Sequence, residues 1–125
     1  MQRLNILLVE DDPDMRALYG YMLASAGHHV KAARNGMEAL MEIQANRPDI
    51  VLTDVAMPIL SGIGLIKAVK GSSELADLPI VAMTSHGAGF RELALAAGAT
   101  DSIDKPTDEM ALRAVLDNIL AQQKD

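Results

Sequence analysis

The stretch I-L-L-V-E-D-D-P-D-M, residues 6 to 15, passes from an apolar run through an acidic loop into a helix start. Ile6 to Val9 is a short run of apolar side chains without alternation, the pattern of a strand buried on both faces. Asp12 and Pro13 form a helix start, with aspartate as N-cap and proline at the first helical position. Met15, Leu18, Met22 and Ala26 continue as a helical stripe that Gly27 stops. The stretch therefore predicts a βα unit. Four carboxylates crowd its loop: Glu10, Asp11, Asp12 and Asp14. Asp12 caps the helix, and Asp14 suits the positive end of the helix dipole. Glu10 and Asp11 are left without a structural task.

The same alternation runs through the chain. His29 to Ala33 is a weaker strand. Asn35 with Glu38 resembles a capping box, followed by Met37, Leu40, Met41 and Ile43 as a helical face. Ile50 to Thr53 is a strand, and Ser61 opens a helix with Ile63, Ile66 and Val69 facing inward. Ile80 to Met83 is a strand, and Phe90 to Ala97 an alanine-rich helix ended by Gly98. Ser102 to Asp104 is a short strand. Thr107 is the expected cap of a last helix, whose apolar positions Leu112, Val115, Leu116, Ile119 and Leu120 fall on one face. Five βα units in a row predict an α/β fold with a parallel sheet covered on both faces.

At 125 residues, half of them apolar, the chain fits one domain with a real core. No apolar run reaches the roughly 18 residues of a transmembrane helix, so no membrane partner is expected. The zero cysteines exclude disulfides and thiolate chemistry and fit a cytoplasmic protein. A net charge of −6 and scarce aromatics count against direct nucleic-acid binding. The methionines read as core filler. His28, His29 and His86 show no ligand spacing and read as loop or surface residues, His86 near enough to the strand ends to modulate a site there.

Parallel sheets bind ligands at the carboxyl ends of their strands. Here those ends carry Glu10-Asp11, Asp54, Thr84-Ser85-His86 and Lys105-Pro106. If the first and third strands are neighbours, three carboxylates converge, and a cation must offset their repulsion. Oxygen donors alone favour a hard ion such as Mg²⁺, which shares its site readily with phosphate oxygens.

The sequence resembles a response-regulator receiver domain of two-component signalling, single-domain and chemotaxis-regulator-like. The motifs are V-E-D at 9 to 11, L-T-D-V-A-M-P at 52 to 58, S-G at 61 and 62, M-T-S at 83 to 85, A-G-A at 97 to 99 and D-K-P at 104 to 106. The resemblance spans residues 1–125 as one receiver domain and shows no output domain. It implies a doubly wound five-stranded parallel sheet, order 2-1-3-4-5, with five helices. It implies Asp54 as phosphoacceptor from a sensor histidine kinase or histidine phosphotransfer protein. Asp11 would be a direct Mg²⁺ ligand, Glu10 the acid that holds metal-bound water, and the Ala56 backbone carbonyl a further ligand beside Asp54. Lys105 would pair with a phosphoryl oxygen, and Thr84 would hydrogen-bond the phosphoryl group after transfer. The Lys105–Pro106 bond would be cis. Kinases would dock near the first helix and the strand-five loop, output partners on residues 87 to 122.

Two alternatives stay open. A pseudo-receiver would bind partners without phosphorylation, but degenerate receivers usually lose the aspartate, the lysine or the acid pair. An aspartate-nucleophile phosphatase would need a second aspartate two residues after Asp54, where Ala56 stands. One departure from the receiver pattern is Ser102, at a position where an aromatic ring usually couples the threonine to the surface. The expected readout is then a backbone shift of residues 85 to 90.

Overall fold

The computed structural model describes residues 3–57, 59–85 and 87–123, without the side chains of Ala88 and Gln123. Strands and helices alternate as β1 (Asn5–Val9), α1 (Pro13–Ser25), β2 (His29–Ala33), α2 (Gly36–Ala45), β3 (Ile50–Asp54), α3 (Gly62–Lys70), β4 (Ile80–Thr84), α4 (Gly87–Ala97), β5 (Asp101–Asp104) and α5 (Glu109–Gln123). The strands form one parallel sheet in the order β2-β1-β3-β4-β5. This is the doubly wound order that the resemblance implied.

Side-chain alternation along each strand feeds two cores. Leu7, Val9, Val51, Ile80 and Ala82 pack towards α2, α3 and α4, against Ala39, Ile43, Leu65, Ile66 and Ala94. Ile6, Leu8, Leu52, Val81 and Met83 pack towards α1 and α5, against Tyr19, Leu23, Leu112 and Leu116. β3 and β4 are buried at every position, and β1 at every position but Asn5, because both faces of the sheet are covered.

Three helix starts hold as read. Asp12 accepts from the backbone N–H groups of Asp14 and Met15, Asn35 from that of Glu38, and Ser61 from that of Gly64. Gly27 and Gly98 follow α1 and α4 with φ of 100° and 119°, conformations that favour glycine. Four details differ. The inward centre of α1 is Tyr19 and Leu23, with Leu18 left exposed. Tyr19 continues the 15, 22, 26 face better than Leu18 does. On α2 the inward set is Gly36, Ala39, Leu40 and Ile43; Met37 and Met41, one step off that face, are exposed. The methionines are thus divided: Met83 is fully buried, whereas Met41 and Met110 are 65% and 83% exposed. The fourth concerns α5, where Asp108 and not Thr107 is the cap. Its carboxylate accepts from Ala111 N–H at 2.8 Å, while the Thr107 hydroxyl is buried without a partner.

His28 is no bare surface residue. It is half-buried after α1, and its Nδ1 accepts the Leu4 backbone N–H at 3.1 Å. Burial lowers its pKa below the usual 6.5; Asp117 opposes that, and Arg113 adds to it. An unprotonated Nδ1 is needed to accept. Because the folded state binds the proton less tightly than the unfolded state, stability is lost as pH falls through and below 6.5. His28→Gln should flatten that acid-side decline in urea titrations at pH 7 and pH 5.5; an unchanged difference between the two pH values would contradict it.

Candidate metal and phosphoryl site

The register places the chemistry. Val9 lies opposite Thr53, so the next residues, Glu10 and Asp54, emerge level on adjacent strands. Thr84 lies opposite Asp104, and Lys105 follows, its N–H donating to the Thr84 carbonyl at 2.7 Å. The four strand ends therefore converge on one edge of the sheet. Glu10, Asp11 and Asp54 each offer a carboxylate oxygen, all within 4.8 Å of one another.

Lys105 ties the acids together. Its Nζ lies 2.7 Å from Glu10 Oε1 and 3.4 Å from Asp54 Oδ2. Its primary partner is thus Glu10, which is 1% exposed, and not Asp54. The Lys105–Pro106 peptide is cis, as the resemblance implied.

Burial raises the Glu10 pKa above its usual 4.5, and the Asp54 charge adds to this; the Lys105 ammonium and the Asp12 N–H oppose it. For Lys105, burial alone would lower the pKa. The Glu10 hydrogen bond and the Asp54 charge outweigh it and leave the ammonium above its usual 10.5. Three carboxylates against one ammonium leave two uncompensated negative charges when all are ionised. All the donors are hard oxygens, so the group fits one divalent cation of the Mg²⁺ type.

Arg16, on the first turns of α1, fixes the acidic loop. Its Nη1 donates to the Glu10 carbonyl at 2.9 Å and the Asp11 carbonyl at 3.4 Å. Sequence reading missed it, although a cation near a helix N-terminus, where the dipole disfavours it, signals a specific acceptor. Gly62 approaches the backbone so closely that an added Cβ would lie 2.2 Å from the Asp54 carbonyl oxygen. Its N–H donates to Val55 O at 2.9 Å, which holds the segment after Asp54 in place.

Thr84 is buried. Its hydroxyl donates to Asp104 Oδ1 at 3.3 Å. Ala56 lies exposed two residues past β3. Ser102 is buried, with its hydroxyl unpartnered, and Arg91 of α4 donates to its carbonyl at 3.2 Å. His86 lies outside the described residues, as does Pro58 of the 52–58 motif.

Among the described residues no helix is long and apolar enough to cross a membrane. Residues 6–117 match the response regulator receiver domain family. The chain is 37% identical over 102 residues to the response regulator MprA of Mycobacterium tuberculosis, covering 81% of this chain and 44% of that protein. It spans from 11% to 44% of several longer curated relatives that it matches. A putative response regulator from Chloroflexus aurantiacus superposes with a TM-score of 0.91 at 33% identity, covering 96% of this chain and 99% of that one. The receiver domain of a Pseudomonas aeruginosa sensor histidine kinase, solved with a magnesium ion coordinated in its active site cleft, superposes with a TM-score of 0.87 at 30% identity, covering 94% and 97%. With this fold, a three-acid strand edge and a family match across nearly its whole length, the chain belongs to the receiver domains of two-component response regulators.

Proposed function

We propose that the chain is a phosphoacceptor switch in which Asp54 takes a phosphoryl group from a phosphohistidine on a sensor histidine kinase or histidine phosphotransfer protein. The observation that carries this reading is the convergence of Glu10, Asp11 and Asp54 around an ammonium that touches both buried acids.

An Asp54 carboxylate oxygen attacks phosphorus, and the P–N bond to the donor histidine breaks. The leaving nitrogen keeps the electron pair and is protonated from solvent. The barrier is largely electrostatic, because a carboxylate must approach an anionic phosphoryl group. Glu10, Asp11, Asp54 and the Ala56 carbonyl would hold Mg²⁺. When bound, that ion supplies positive charge which offsets the repulsion. Lys105 neutralises a phosphoryl oxygen, and the Thr84 hydroxyl donates to another after transfer. Water admitted to the same pocket returns the aspartyl phosphate to carboxylate, so the signal is self-limiting. A cytoplasmic setting and a partner-binding output follow from this role.

The test is incubation with acetyl phosphate, with and without Mg²⁺, followed by intact mass and peptide mapping. One phosphate adduct on Asp54, formed only with Mg²⁺ and decaying on standing, is expected. Full occupancy by Mg²⁺ with no adduct would favour the phosphorylation-independent binding module. Turnover of many equivalents of unrelated phosphate esters would favour a phosphatase.

A further inference from the structure

Thr84 and Asp104 face each other across β4 and β5. Their contact is the one side chain–side chain hydrogen bond between these two strands among the described residues. Two residues back on the same face stands Ser102, opposite Ala82, with Ala94 of α4 buried in the same core. That face holds no ring at these positions whose movement could report the state of Thr84. The polar contact does connect Thr84 to the rim, because Asp104 is exposed.

A hydroxyl carries a single proton and makes one donated hydrogen bond at a time. The Thr84 hydroxyl therefore cannot donate to Asp104 and to a phosphoryl oxygen at once. At 3.3 Å the present bond is long for an O–H···O pair, which makes it weak and readily exchanged.

We propose that Asp104 is a positioning residue: it holds the Thr84 hydroxyl in the unphosphorylated state, and its release on phosphorylation carries the signal to the exposed end of β5. This rests on the phosphoacceptor reading and adds to it the regulation of the same site. The readout is a freed carboxylate at the surface in place of a rotating ring, and it assigns the signal to β5 and not to the 85 to 90 loop alone.

The test is a double-mutant cycle on beryllofluoride affinity, with Mg²⁺ present, in the full chain. Asp104→Ala removes the competing acceptor and should tighten beryllofluoride binding by about fivefold. In a Thr84→Val background the same change should do nothing. Equal tightening in both backgrounds would mean that Asp104 acts only as a nearby negative charge, and would overturn the proposal. A second readout needs no variant. The Asp104 carboxyl ¹³C resonance of the wild type should shift on beryllofluoride saturation; a resonance that stays fixed would also overturn it. A wild type that binds no beryllofluoride while binding Mg²⁺ would instead overturn the phosphoacceptor reading, and this proposal with it.

Discussion

Lys105→Met should cost about 3 kcal/mol of stability at neutral pH and slow phosphorylation of Asp54 by about 100-fold. The stability loss arises from Glu10. Its carboxylate is almost entirely buried, and its ammonium partner at 2.7 Å is the only cation within salt-bridge reach of it among the described residues. Methionine fills the space of the lysine stem but leaves a buried negative charge beside Asp54. Glu10 can escape by taking up a proton, which caps the cost. A carboxyl with a raised folded-state pKa binds its proton more tightly folded than unfolded, so stability falls as pH rises above 4.5 towards the folded value. Removing Lys105 removes an influence that lowers that pKa, so the window extends upward. The stability difference between wild type and variant should therefore shrink towards pH 4.5 and grow towards neutrality. Mg²⁺ should recover part of the loss. Urea titrations across this range would decide it; a pH-independent difference would show that Lys105 contributes packing and not charge.

Gly62→Ala should destabilise the fold by about 3 kcal/mol and displace Asp54. The added methyl carbon would meet the Asp54 carbonyl oxygen at 2.2 Å and the Val55 Cα at 2.8 Å. These are backbone atoms at the end of a central strand, and no rotamer change relieves the contact. Gly20→Ala is the matched control. There the new carbon meets only the Leu8 Cδ2 at 3.9 Å, an ordinary contact. That substitution should raise stability by about 0.5–1 kcal/mol through helix propensity. If the two variants denature at the same urea concentration, the strand end and α3 are not locked as described.

The strands and the helix starts were legible because local chemistry fixes both, whereas the order of the strands came from the resemblance to receiver domains. Short apolar runs bounded by turn residues read as strands covered on two faces, and Asp12, Asn35 and Ser61 satisfy helix donors within three residues of themselves. Glu10, Asp11, Asp54 and Lys105 were legible because each stands at a strand end in its motif. The helix faces were less so. Met37 and Met41 are as apolar as Ala39 and Ile43, and only the packing of α2 over β2 and β1 decides which set turns inward. Thr107 and Asp108 are both competent caps, and a one-residue choice between them is set by where β5 delivers the chain. The Thr84–Asp104 and Arg91–Ser102 contacts join residues 20 and 11 positions apart, so they follow from strand register and helix placement and leave no local trace.

The division of the methionines has a consequence for chemical probing. Thioethers oxidise where peroxide reaches them, and oxidation turns an apolar side chain polar. Met41 and Met110 should become sulfoxides at rates close to those of free methionine. Met83, fully buried beside Thr84 in β4, reacts only when the sheet opens. Its lag behind the others is a built-in clock for local unfolding at the strand end that carries the threonine.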